Sequence, residues 1–235
     1  VENAVSIRVN FGKEMPLFPL ATVAVLPQQV VPLHIFEPRY RQMIDHALDG
    51  PGQIAMAMYD SRSHRPGSLN PELVRRAVCV VQIAQHEKVP DGRYNILVQG
   101  ICRALISKET PANNQTLYRQ ALLEPIGLDT PDNEDLITIR ENLEHTLRRP
   151  ALSKLLSVKP VLDFFNDDRI PTSALLELVA FSIVNDAELR YRLLAEGDIE
   201  ARSRILLSEL GSLSKLLALA DRQAREPWPK GCSWN

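Results

Sequence analysis

The residue pattern of this chain changes character once, near position 125, and that change limits the folds open to it. Before it, apolar residues come in short runs divided by Pro, Gly, Asp and Asn; after it, they are leucine-rich and recur at three- and four-residue steps. Thr22 to Leu26, Val30 to Phe36, Ile54 to Tyr59, Val78 to Ile83, Tyr94 to Gln99, Ile101 to Ile106 and Tyr118 to Leu123 each have the length of one strand. Pro90-Asp91-Gly92 joins a preset φ, a turn-capping side chain and a residue tolerant of positive φ, so it predicts a reversal between two strands. Gly100 interrupts the next apolar run, where a bulge would bend the sheet toward closure. A small barrel is expected.

One helix is expected among the strands. Pro38 suits a first helical position, Tyr40, Met43, Ile44, Ala47 and Leu48 follow at helical spacing, and Gly50-Pro51 ends the run. Its apolar stripe would close one mouth of the barrel, with Arg41, Asp45 and His46 outward. Beyond Glu124-Pro125, Asp132 and Asp135 resemble an N-terminal cap before Leu136, Ile139, Leu143 and Leu147. Thr172 or Ser173 would cap a central, nearly all-apolar helix from Ala174 to Val184. Asn185 with Glu188 has capping-box spacing for a helix that Gly197 ends, and Asp198 would cap the last. In that helix Leu206, Leu210, Leu213, Leu217 and Ala220 form a stripe read as intramolecular packing, with a homodimer seam as the alternative. The expected fold class is therefore α+β: a β-barrel with one early helix over residues 1–125, then a helical bundle and tail over 126–235.

The charge balance, 27 Lys and Arg against 29 Asp and Glu, gives a net −2 and no global field to collect polyanions. Cys79, Cys102 and Cys232 are odd in number and widely spaced, which suits a reducing compartment, and a cytoplasmic location is expected. The start, Val1 to Gly12, lacks the basic tip and apolar stretch of a secretory signal. Leu20 to Leu26 and Ala174 to Phe181 fall short of the ~20 apolar residues of a membrane span, so no membrane partner is expected.

The equipment of common chemistries is missing. No GxxxxGK[ST] phosphate loop and no GxSxG elbow occurs, and Ser214-Lys215 are neighbours on a helix and do not face each other. His34, His46, His64, His86 and His145 show no HxxxH or CxxC spacing, so no metal and no cofactor is expected. Cys79 and Cys102 lie in apolar strands and read as buried, inert thiols. Asp167-Asp168 before Arg169 reads as a solvated turn, and no catalytic residue is assigned.

Two segments carry a resemblance. Met15-Pro16-Leu17-Phe18-Pro19-Leu20, followed by Val30-Val31-Pro32-Leu33-His34-Ile35-Phe36-Glu37-Pro38-Arg39-Tyr40, resembles the opening of the Lon protease N-terminal domain family. The likeness continues through Val78 to Ile83, the hairpin from Asp91 to Gly100 and the strand from Tyr118 to Pro125, and more weakly to Asp198 to Leu207. It implies a PUA-like β-barrel followed by a C-terminal helical bundle, acting as a noncatalytic substrate-binding domain. With no room in 235 residues for the ATPase and Ser-Lys peptidase modules, a standalone form is expected.

The implied ligand is unfolded or extended polypeptide, with a protease or chaperone as a further partner and a monomer or weak homodimer as the working form. His34, Glu37, Arg39 and Tyr40 combine apolar area with hydrogen-bonding capacity and are the first candidates for contact. Arg62, His64 and Arg65, in the 61–71 loop, are candidates for selectivity. One alternative is RNA binding, because PUA-like barrels elsewhere hold structured RNA; Arg62, Arg65, Arg75 and Arg76 form the best basic cluster, with few aromatic residues near it. A second is an enzyme whose site is assembled from residues distant in sequence.

Overall fold

The computed structural model describes residues 7–60, 73–127 and 134–225. The strands are β1 (Met15–Leu20), β2 (Val30–Ile35), β3 (Gln53–Met58), β4 (Ala77–Lys88), β5 (Tyr94–Thr110) and β6 (Gln120–Ile126). Their pairing closes on itself. β1 runs parallel to β3, β3 antiparallel to β4, β4 to β5, β5 to β6, and β6 returns antiparallel to β1. β2 stands outside this ring, antiparallel to residues 94–99 of β5. Closure depends on the length of β5, whose 17 residues reach from β2 at one end to β6 at the other.

Leu17, Ala55, Ala57, Val78, Val80, Ala104 and Ala121 come from every strand of the ring and pack as one cluster, which fills its lumen. Alanine at several of these positions suits the narrow interior of a small barrel. The outer faces are covered too: all six residues of β3 are buried, with Ile54, Met56 and Met58 in a second, larger cluster that extends into the helices.

Gly100 sits at a bulge, as expected. Val80 pairs with Cys102 and Val81 with Gly100, leaving Ile101 as the extra residue. Gly100 also donates to Gln29 O and accepts from Gln28 N, both at 2.9 Å, so the turn at 26–29 lies against its backbone. The Pro90-Asp91-Gly92 reversal forms as well, with Gly92 at φ +83° and Val89 N donating to Arg93 O at 2.8 Å.

Three strand expectations are corrected. Residues 21–29 form bends and turns, although Ala24, Val25 and Leu26 are buried; Leu26 is bonded within the turn by Gln29, and Gln28 and Gln29 bond the Gly100 backbone, so the run joins no ladder. The strand lies earlier, at Met15–Leu20, despite Pro16 and Pro19. The runs on either side of Gly100 are one strand, because the bulge absorbs the glycine without ending the pairing. β6 begins at Gln120, and Tyr118 instead packs edge-on against His46, its hydroxyl 2.9 Å from His46 Nδ1.

Helix α1 (Pro38–Leu48) follows β2 with Glu37 at its N-cap and Pro38 in its first turn, and buries Tyr40, Met43, Ile44 and Ala47 against β1 and β3. The C-terminal part is α2 (Glu134–Leu147), α3 (Val158–Phe164), α4 (Thr172–Ile183), α5 (Ala187–Ala195) and α6 (Ile199–Arg225). α4 touches all four of the others, the central place its composition demands. Its N-cap is Pro171, so neither Thr172 nor Ser173 caps it; both are buried in its first turn. The cap of α5 is Asp186 rather than Asn185, with Oδ1 accepting from Leu189 N at 2.7 Å. Asp198 caps α6 as expected, accepting from Glu200 N at 3.1 Å. Leu206 and Leu210 are fully buried, Leu213 and Leu217 half-buried, and Ala220 exposed. Asp132 lies outside the described residues.

Barrel and bundle are joined by polar contacts as well as apolar ones. Tyr191 of α5 accepts from Ala77 N at 2.9 Å, and the Arg75 guanidinium lies 3.4 Å from the centre of the Tyr191 ring while pairing with Glu188 at 2.8 Å. Arg103 of β5 and Arg202 of α6 both reach the buried carboxylate of Glu177 in α4.

Candidate functional site

The chain leaves β2 at Ile35 and must turn at once into α1, because Pro38 presets the first helical φ. The long side chains of a first helical turn lean back over the preceding segment. Tyr40 therefore meets Phe18 of β1 edge to face, with ring centres 4.6 Å apart at 74°. Between residues 18–21, residues 33–37 and Tyr59 this leaves a groove of about 340 Å³ with a mainly apolar lining. Phe36 is 62% exposed beside it.

The polar groups stand around this apolar floor. Arg39 Nε donates to Glu37 Oε2 at 2.9 Å, and the same guanidinium lies 4.4 Å from the Tyr40 ring centre. Burial first, then a hydrogen bond shared with Tyr59, pushes the Tyr40 hydroxyl pKa well above its ordinary value, so it stays a neutral phenol. His34 Nδ1 is 2.7 Å from Asn95 Oδ1, an acceptor, which places the ring proton on Nδ1 and leaves Nε2 to accept from Arg93 Nη1 at 3.3 Å. His34 and Leu33 also line a second, larger groove of about 490 Å³ across β2, β5 and β4.

The fold thus brings His34, Glu37, Arg39 and Tyr40 to one groove, whereas Arg62, His64 and Arg65 lie outside the described residues. Phe18, Leu20, Phe36 and Tyr59 join them unannounced by the sequence reading. Phe18 and Leu20 lie in the Met15 to Leu20 motif, and Phe36 and Tyr59 end two of the expected strands, so the sequence marked all four as fold elements and none as a contact. Of the basic cluster, Arg75 is held by Glu188 and Tyr191, and Arg76 Nε donates to Ile106 O at 3.3 Å. Burial pushes the Cys79 thiol up, and Asp167 forms the expected turn with Arg169 at 2.8 Å. Among the described residues no group of three His, Cys, Asp or Glu is placed to hold a metal ion, and no helix is long and apolar enough to cross a membrane.

The structure is thus a closed barrel backed by a helical bundle, with an apolar groove at the barrel's side and polar groups at its rim. The comparisons give the family: residues 14–212 match the ATP-dependent protease La (LON) substrate-binding domain, and the chain belongs to that family. The Lon protease of Trichlorobacter lovleyi is 32% identical over 132 residues, covering 55% of this chain and 16% of that protein. Lon protease 2 of Bdellovibrio bacteriovorus is 24% identical over 201 residues, or 84% of this chain and 24% of that one. This chain therefore spans well under a third of the length of these relatives. The N-terminal domain of the Mycobacterium avium complex Lon protease superposes with a TM-score of 0.61 at 18% identity, covering 85% of this chain and 98% of that domain. A Lon N-terminal domain protein from Xanthomonas campestris gives 0.59, with 83% and 98% coverage. The two structures share the fold.

Proposed function

We propose that this chain is a noncatalytic module that binds unfolded or extended polypeptide, seating apolar side chains in the groove between β1, β2 and α1. The observation that carries this reading is Phe36, 62% exposed beside an apolar groove whose base is closed by the buried rings of Phe18 and Tyr40. Aromatic rings present large, stiff contact area at low entropic cost, while the neighbouring polar groups orient a backbone. The paired charges of Glu37 and Arg39 leave the rim without a strong sign, which suits ligands chosen for exposed apolar residues. β2 carries Pro32 at its middle, which removes one backbone donor, so side-chain capture is favoured over strand addition at this edge. The engagement of Arg75 and Arg76 with the protein itself weighs against the RNA alternative.

The test is fluorescence anisotropy with short labelled peptides, one set carrying Phe or Leu at alternate positions and one carrying Ser there, with an RNA hairpin at low salt alongside. Saturable binding of the apolar set is expected, with the serine set and the hairpin left free. Failure of folded protein to retain any peptide, or retention of the hairpin alone, defeats the proposal.

A further inference from the structure

Where the barrel meets the bundle, a polar cavity of about 130 Å³ lies between Gln28, Arg103 and Gly127 on one side and Ser173 and Glu177 of α4 on the other. Three observations converge there. Ser173 is 3% exposed and its Oγ has no hydrogen-bond partner among the described residues, an uncommon state for a buried hydroxyl. Arg103, also buried, donates from Nε to Leu193 O and from Nη2 to Glu177, while its Nη1 makes no hydrogen bond to a described residue. Finally, α4 is 12 residues long and begins at Pro171, which has no side chain to cap it, so the positive end of the helix opens at the same place.

We propose that this cavity binds a small monoanion of about chloride size, held by Ser173 Oγ, Arg103 Nη1 and the amino end of α4. The guanidinium and the helix N-terminus supply donors only, the hydroxyl can donate, and the Glu177 carboxylate is already taken by Arg103, so the charge of the lining favours an anion over a cation. Glu177 is also what disfavours a dianion. At roughly 30 Å³ per water, the space takes an ion and a few waters. Arg103 belongs to β5 and Ser173 to α4, so the ion fastens barrel to bundle. This site is separate from the peptide groove, and neither depends on the other.

The test is the melting temperature of the full chain at fixed ionic strength as chloride replaces gluconate, an anion too large for the cavity. A saturable rise of roughly 2–4 °C is expected, with its chloride midpoint moved severalfold higher in Ser173→Ala. In crystals soaked with bromide, an anomalous peak is expected within about 3.5 Å of Ser173 Oγ. Equal melting temperatures in the two salts, an unchanged chloride response in Ser173→Ala, or a cavity holding only water without anomalous signal would overturn the proposal.

Discussion

Arg103 of β5 donates from Nη2 to both carboxylate oxygens of Glu177 in α4 at 2.6 Å, and each side chain is 4% exposed. The pair joins the two halves of the fold, with Arg202 Nε a further 3.6 Å contact to the same carboxylate. A buried ion pair gains little over apolar packing, but removing one member strands the other's charge. Glu177→Gln leaves two guanidinium groups facing a neutral amide. The expected loss is about 3–5 kcal/mol by urea unfolding at pH 7, with barrel and bundle probes moving together.

Gly100→Ala is expected to cost about 3 kcal/mol or more, because a Cβ there would lie 2.2 Å from Leu26 O, and a backbone carbonyl held by the turn at 26–29 has nowhere to go. Thermal denaturation of the purified variant measures this. A variant as stable as the parent would show that the turn moves freely.

Phe36→Ala separates binding from folding. Its ring is exposed, so stability should change by no more than about 0.5 kcal/mol. Affinity for apolar peptides should fall about tenfold, the scale of one aromatic contact at an interface centre. Tyr40→Ala would also weaken binding but is the poorer probe, since its ring packs on Phe18 and its loss opens the core.

At low pH the turn before α4 should loosen. Hydrogen bonds from the Arg169 side chain and backbone hold the Asp167 carboxyl at about 2, below its ordinary 3.8. A depressed folded-state value means that protons bind the unfolded chain more readily. The stabilising contribution is thus complete above the ordinary value, declines as pH falls below it, and is gone below about 2. Arg140, which donates to the carbonyls of Phe165, Asp167 and Ile170, braces the same turn. Side-chain NMR titration should return the low value, and Asp167→Asn should flatten stability against pH across that window.

Much of this architecture was legible locally. The start of α1 followed from Pro38, the reversal at 90–92 from its residue types, and the bulge from a lone glycine in an apolar run, because each is decided within a few residues. Four members of the groove were also legible, since Glu37, Arg39 and Tyr40 share the first stretch of α1 and His34 lies just before it. The floor was not: Phe18 and Tyr59 lie far from Tyr40 along the chain and reach it only through the pairing of β1 with β3.

The sequence by itself determined where apolar residues gather and where the backbone must turn, hence the order of barrel before bundle and the cap of the last helix at Asp198. Tertiary structure alone decided which apolar runs became strands. Val25 and Leu26 are as β-prone as their neighbours yet lie in a buried turn, while Met15–Leu20 forms a strand in spite of two prolines. The reason is that buried backbone donors and acceptors must be satisfied: Gln29 does this locally for Leu26 and docks the turn on the distant Gly100, whereas β1 finds its partner in β3, and both placements are decided by distant parts of the chain.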